Sequence, residues 1–220
     1  VGCKNKSSQD LINDILFKRG IKDEDQIERF LYGGPDDLLD PFLMKDMKEA
    51  VSRIIRAADN NEKVIIYGDY DVDGITATSL LYSYLFEILN LEVDYYIPDR
   101  LKEGYGLNLK AVREIIDGGG DLMITVDCGI TAVEEIALAR KNGLDVIVSD
   151  HHHLAHILPE AYAVLNPHQS LDKYPFKYLS GVGVAFKLCQ GINDRLEQSS
   201  NKLYKHLDIV ALGTVADIVT

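Results

Sequence analysis

The chain has 220 residues, 46% apolar and 26% charged, with 23 basic residues against 35 acidic ones and a formal net charge of −12. That balance excludes a protein that simply coats nucleic acid through a basic surface, but not an enzyme whose acids hold cations against phosphate. No apolar run approaches the ~20 residues of a membrane-spanning helix; Lys4 and Lys6 lead into polar Ser7-Ser8-Gln9-Asp10 instead of a signal-peptide core, and three scattered cysteines (Cys3, Cys128, Cys189) suit a reducing cytoplasm better than a disulfide framework.

Residues 1–60 carry helical periodicity and no strand signal. Leu11, Ile12, Ile15 and Leu16, then Ile27, Phe30 and Leu31, recur at helical spacing, with Gly20 and Gly33-Gly34-Pro35 as breaks. Met44, Met47, Val51, Ile54, Ile55 and Ala58 mark a longer helix whose methionines read as core filler. From residue 63 short apolar runs alternate with helical stretches: strands at 64–67, 93–97, 122–126, 146–148 and 162–165, and helices at 76–89, 109–116, 132–141, 183–189 and 203–215. Runs apolar on both faces and joined by helices predict an α/β fold with a doubly wound, mainly parallel sheet. The expected division is a helical N-terminal region, 1–60, packed on a catalytic domain, 61–220.

Ligands of such sheets bind beyond the carboxyl ends of the strands, and here those ends are acidic. The first strand runs into Gly68-Asp69-Tyr70-Asp71-Val72-Asp73-Gly74, the third into Asp127-Cys128-Gly129, and the fourth into Asp150-His151-His152-His153, while Asp217 follows late in the chain. An Asp at a strand end also caps the next helix, but three such ends, one with adjacent histidines, need more than capping. Asp69, Asp71 and Asp73 would repel one another if bare, and a divalent cation resolves that. Oxygen donors with an imidazole suit Mn²⁺ or Mg²⁺ better than a thiolate zinc site. An EF-hand shares the D-x-D-x-D-G spacing, but Leu80 stands where its Glu belongs. No G-x-G-x-x-G or P-loop pattern is present. Cys128 reads as a small residue behind the site, and His153, His156, His168 and His206 as surface or outer groups.

Asp150-His151-His152, with the three other acidic motifs in order, resembles the DHH phosphoesterase superfamily. Within it the chain is most similar to RecJ-type single-strand-specific 5′→3′ DNA exonucleases, on Ile97-Pro98-Asp99-Arg100, Glu103-Gly104-Tyr105-Gly106-Leu107, Asn166-Pro167 and Ser180-Gly181-Val182-Gly183-Val184-Ala185-Phe186-Lys187. The resemblance implies a phosphodiesterase with two Mn²⁺ or Mg²⁺ ions. Asp127 would bridge them, Asp71 with Asp69 would complete one site, and Asp73, His151 and Asp217 the other. His152 would act on the phosphate and leaving oxygen, and Asp150 would orient the histidines. Arg100 is the expected phosphate clamp. Gly181 and Gly183 could offer amides to phosphate, or simply belong to a helix cap.

Two departures from the family pattern stand out. Many members carry a metal-holding His where this chain has Tyr67, which leaves either Asp69 in its place or a weaker site. RecJ-like chains also continue past the fourth motif, so residues 1–220 are expected to be an N-terminal catalytic fragment with weak activity alone. The resemblance further implies single-stranded DNA as partner, a helicase or single-strand-binding protein beside it, work in DNA repair and recombination, and no membrane. Rival readings are a DHH-type oligoribonuclease or pyrophosphatase, and a non-catalytic RecJ-like replication scaffold. Intact acids and histidines weigh against the scaffold.

Overall fold

The computed structural model describes residues 7–219; Cys3, Lys4 and Lys6 lie outside the described residues. Two compact units divide the chain at Asp40–Pro41. The first contains α1 (Ser8–Lys18) and α2 (Glu24–Tyr32). Ser7 and Asp10 form a capping box at the start of α1, and the Asp23 carboxylate accepts the Asp25 and Gln26 amides at the start of α2.

The second unit opens with α3 (Met47–Asp59), followed by β1 (Val64–Tyr67), α4 (Val72–Leu89), β2 (Val93–Tyr96), α5 (Leu109–Asp117), β3 (Leu122–Val126), α6 (Val133–Lys141), β4 (Asp145–Ser149), β5 (Ala163–Leu165), α7 (Gly181–Arg195), α8 (Asn201–Tyr204) and α9 (Leu207–Asp217). The five strands pair in parallel in the order β2-β1-β3-β4-β5. The chain leaves β1 for β2 on one side and then crosses to β3 on the other. The topological switch point therefore lies between β1 and β3, where open sheets place their ligands.

Alternation along the strands divides the core into two layers. Ile65, Tyr67, Met123, Val146 and Val148 pack with Ala111, Val112, Ile136 and Ala139 of α5 and α6. On the opposite face α4 meets β1 and β3, α7 meets β3 and β4, and α3 packs against α7 and β5. Met44 and Met47 are buried there, as core filler should be.

Several boundaries differ from the sequence expectation, each for a physical reason. The units divide at 40–41 rather than 60–61 because α3 gives its apolar face, Met47, Ala50, Val51, Ile54 and Ala57, to the second unit's core. α4 begins at Val72 because the Asp71 carboxylate caps it, accepting the Gly74 amide at 2.9 Å, so Asp73 is a first-turn helical residue. α7 begins at Gly181 under a Ser180 cap, so both expected phosphate-binding glycines lie inside the helix. The helix expected over 203–215 is two helices, α8 and α9, separated at Lys205-His206. β2 is a half-exposed edge strand, whereas β1, β3 and β5 are buried throughout.

Arg53 ties α3 to the sheet. Its guanidinium is buried and meets Asp145 and Glu62, each at 2.6 Å, while neighbouring Arg56 is half exposed and reaches Asp145 only at 3.5 Å. Removing a buried cation strands its partners, whereas an exposed pair contributes little. Arg53→Ala should therefore cost about 3 kcal/mol in urea unfolding, and Arg56→Ala no more than about 0.5 kcal/mol.

Candidate metal centre

The switch point gathers the acids of β1, β3 and β4. Just beyond β1, Gly68 passes so close to α4 that an added Cβ would lie 1.9 Å from Thr78 Oγ1. The tight path leads to Asp69, Asp71 and Asp73. Asp69 is 1% exposed, and neither of its carboxylate oxygens has a hydrogen-bond partner among the described residues. Burial raises its pKa above the ordinary carboxylate value, and the nearby Asp71 charge adds to the effect.

Asp73 is equally buried but differently supported. The first amides of α7, from Gly181 and Val182, donate to its carboxylate at 2.5 and 2.8 Å. A helix N-terminus is a favourable place for an anion. Burial nonetheless keeps Asp73 above the usual range. The amide of Gly183 bonds to Ser180 Oγ. Neither glycine amide is thus available to phosphate, which corrects the phosphate-binding expectation for Gly181 and Gly183. What Gly181 supplies is room: a Cβ there would sit 2.4–2.6 Å from the Asp127 carboxylate.

Asp127 lies at the centre. It follows β3 with φ 60°, a left-handed conformation uncommon outside glycine, and this turns its side chain into the cluster. Gly129, at φ +107°, allows the tight return, in which Thr125 Oγ1 donates to the Cys128 carbonyl at 2.7 Å. Asp127 Oδ1 lies 3.2 Å from His151 Nε2, but the two are not aligned as a hydrogen bond. Burial pushes the Asp127 carboxyl up to about 7, against the pull of His151.

Beyond β4, Asp150 organises the histidines. Its Oδ1 accepts the amides of His151 and His152 and the His152 Nδ1, the last at 2.7 Å, and its Oδ2 accepts the Ile130 amide at 2.9 Å. Burial disfavours the Asp150 charge, yet these donors outweigh it and hold the group below the ordinary range. The same bond raises His152 to about 9. His152 is 43% exposed at its side chain and faces outward, whereas His151 is 12% exposed and faces the acids. Asp217, at the end of α9, places Oδ2 3.8 Å from His151 Nε2.

Three sets of groups converge closely enough to hold a cation: Asp69 with Asp71 and Asp127; Asp73 with His151 and Asp217; and Asp127 with His151 and His152. Both oxygens of Asp69, Oδ1 of Asp127 and Nε2 of His151 are buried with no hydrogen-bond partner among the described residues. Such atoms are costly to leave bare. Divalent cations match this donor set of carboxylates and one imidazole.

Of the other expected site residues, Arg100 is exposed and lies over the Tyr70 ring, 5.3 Å from its centroid, at the rim of the site. Tyr105 had no role assigned from sequence. Its hydroxyl donates to the Asp127 carbonyl at 3.2 Å and lies 3.1 Å from His152 Nε2, and its ring meets Tyr70 edge-on. The signal was its setting between Gly104 and Gly106, both with positive φ. Tyr67 does not face the acids at all; it belongs to the α5/α6 layer.

Residues 63–214 match the family model described as DHH family, N-terminal domain. The chain belongs to the DHH family. Among DHH relatives, the single-stranded-DNA-specific exonuclease RecJ of Bacillus subtilis (strain 168) is 47% identical over 209 residues, covering 95% of this chain and 26% of its own length. This chain thus spans about a quarter of that relative. A crystal structure of exonuclease RecJ bound to manganese matches with TM-score 0.74 and 34% identity over 83% of this chain and 46% of that one. RecJ from Thermus thermophilus matches in its Mn²⁺ complex (TM-score 0.74, 30% identity, 93% of this chain and 28% of that one). Its Mg²⁺ complex matches at TM-score 0.60 and 27% identity, over 93% of this chain and 24% of that one.

The raised pKa of Asp127 has a consequence for the metal-free DHH domain. Its folded value, about 7, exceeds the ordinary 3.8, so the fold retains a proton that the unfolded chain releases. The contribution of this group to stability is therefore lost as pH rises from about 4 to about 7. In chelator, Asp127→Asn should melt on the order of 5 °C above the parent at about pH 8 and close to it near pH 4, as read by a thermal scan at each pH.

Proposed function

We propose that this chain is the catalytic part of a RecJ-type exonuclease, a metal-dependent phosphodiesterase that removes nucleotides from the 5′ end of single-stranded DNA. The observation that carries the reading is the set of buried ligand atoms of Asp69, Asp127 and His151 at the switch point that have no hydrogen-bond partner among the described residues. Relatives named single-stranded-DNA-specific exonucleases support the choice of polymer, and the 5′ polarity is what the family resemblance implies.

Asp69, Asp71 and Asp127 would hold one Mn²⁺ or Mg²⁺, and Asp73, His151 and Asp217 a second, with Asp127 between the two groups. Bound there, the cations supply Lewis acidity toward the phosphate and acidify a water. The chain's own residues do the rest. Asp150 fixes the His152 ring through Nδ1, and Nε2, now 3.1 Å from the Tyr105 hydroxyl, would serve substrate by exchanging that contact. With its pKa raised to about 9, His152 carries a proton at neutral pH, ready for the leaving 3′-oxygen. Tyr105 limits the movement of that ring from the other side. Arg100, stacked on Tyr70 at the rim, is placed to pair with a terminal phosphate. Work in DNA repair and recombination, a cytoplasmic setting, and a helicase or single-strand-binding protein as companion belong to the same reading.

Paired variants test these roles in the full-length protein. Asp127→Ala removes a donor of the first group that also lies 3.2 Å from His151 of the second, so Mn²⁺ binding in a calorimetric titration should collapse and cleavage with it. His152→Ala should leave Mn²⁺ binding nearly intact while turnover falls roughly 10²–10⁴-fold. If His152→Ala loses metal as badly as Asp127→Ala, His152 belongs among the ligands. If the parent cleaves pyrophosphate or dinucleotide RNA in preference to long single strands, the RecJ-type reading fails.

A further inference from the structure

Tyr105 reaches Asp127 and His152 from a loop whose tip is exposed and whose far side is anchored by Leu107, buried in the α5/α6 layer. The loop between β2 and α5 is solvent-exposed at Leu101 and Lys102, and Gly104 and Gly106 flank Tyr105 at φ +78° and +79°. A Cβ on either glycine would meet nothing within 4 Å, so their role is backbone freedom and not close packing. A loop with two such hinges keeps one shape only where something fastens it.

The fastening comes from below. The Tyr67 ring is fully buried and stacks on Tyr96 with centroids 5.2 Å apart and planes 14° from parallel. Its hydroxyl donates to the Gly106 carbonyl at 3.0 Å and accepts from Asn108 Nδ2 at 3.3 Å. Asn108 itself caps α5 through the Ala111 amide, at 2.8 Å. Nearby, Tyr96 donates to Glu103 Oε1 at 2.6 Å, and Glu103 Oε2 accepts the Asp99 amide at 2.8 Å. Tyr67 thus holds the residue directly after Tyr105. Its hydroxyl is directed to Gly106 and Asn108 and not to the acids.

We propose that Tyr67 is a positioning residue whose hydroxyl, through the Gly106 carbonyl, sets where Tyr105 sits over Asp127 and His152, and that it takes no part in holding metal. Only the kinetic consequence rests on the nuclease reading; the mechanical one does not.

Tyr67→Phe tests this, because it keeps the stacked ring and removes only the hydroxyl, with its bond to Gly106 and the weaker one from Asn108. In the 220-residue chain, ¹⁵N relaxation should show the order parameters of Gly104, Tyr105 and Gly106 falling from about 0.85 toward about 0.6, with those of β3 and α4 unchanged. Calorimetric Mn²⁺ affinity should stay within about twofold of the parent. In the full-length protein, KM for single strands should rise several-fold while kcat stays within about twofold, because a loop ordered only part of the time lowers the competent fraction. Unchanged order parameters in the loop overturn the proposal. So does a drop in Mn²⁺ affinity, which moves Tyr67 into the metal centre, or a loss of order throughout β1 and β2, which reduces its role to packing. If the parent cleaves no DNA, the nuclease reading falls, and the order parameters still decide the role of Tyr67.

Discussion

The cost of holding negative charge out of water governs this structure. Asp69, Asp73, Asp127 and Asp150 are each about 1% exposed, in a protein with a surplus of acids. Two of the four are compensated by the fold itself: Asp73 by the α7 amides, and Asp150 by His152 and the amides around it. Asp69 and Asp127 have no comparable support, and this difference separates the residues that shape the site from those that need a cation. The close passage of Gly68 and Gly181 and the left-handed turn at Asp127 all keep these carboxylates within a few ångströms of one another.

Around this acidic interior lies a second layer of different character. Arg100, Tyr70, Tyr105 and His152 stand in successive contact, at 5.3, 6.4 and 5.8 Å between ring or guanidinium centres. Rings and a guanidinium suit bases and terminal phosphate, and the acids beneath suit cations. His152 belongs to both layers, hydrogen-bonded to Asp150 below and set edge-on to Tyr105 at the rim. With a net charge of −12, the chain offers no broad positive field to an anion.

The sheet was legible because β1, β3, β4 and β5 are short apolar runs, and because acids stood at the ends of the first three. Helix starts were less legible. In Asp69-Tyr70-Asp71-Val72-Asp73 the first helical residue is hidden, because an Asp that caps and an Asp that binds look alike. The apolar spacing over 203–215 runs on through the junction of α8 and α9, which packing on α4 and α7 decides. Nothing local shows that the Gly181 amide serves a carboxylate 108 residues earlier, or that the Tyr67 hydroxyl reaches a loop 39 residues later. The candidate ligands could be read because their chemistry is intrinsic to residue type. Their supports could not, because backbone amides and hinge angles leave little mark on composition.

Asp217 closes the cluster that Asp69 opens, and it does so from the last turn of α9. On a ribosome, the chain has exposed every other member of the cluster before this one emerges. Domains fold as units during synthesis, so the set of acids and imidazole remains unfinished until nearly the whole domain has been made. A growing chain stopped anywhere short of α9 lacks one carboxylate of its metal centre. The order of residues along the polypeptide thus makes the set of acids and imidazole one of the last features of the domain to be completed.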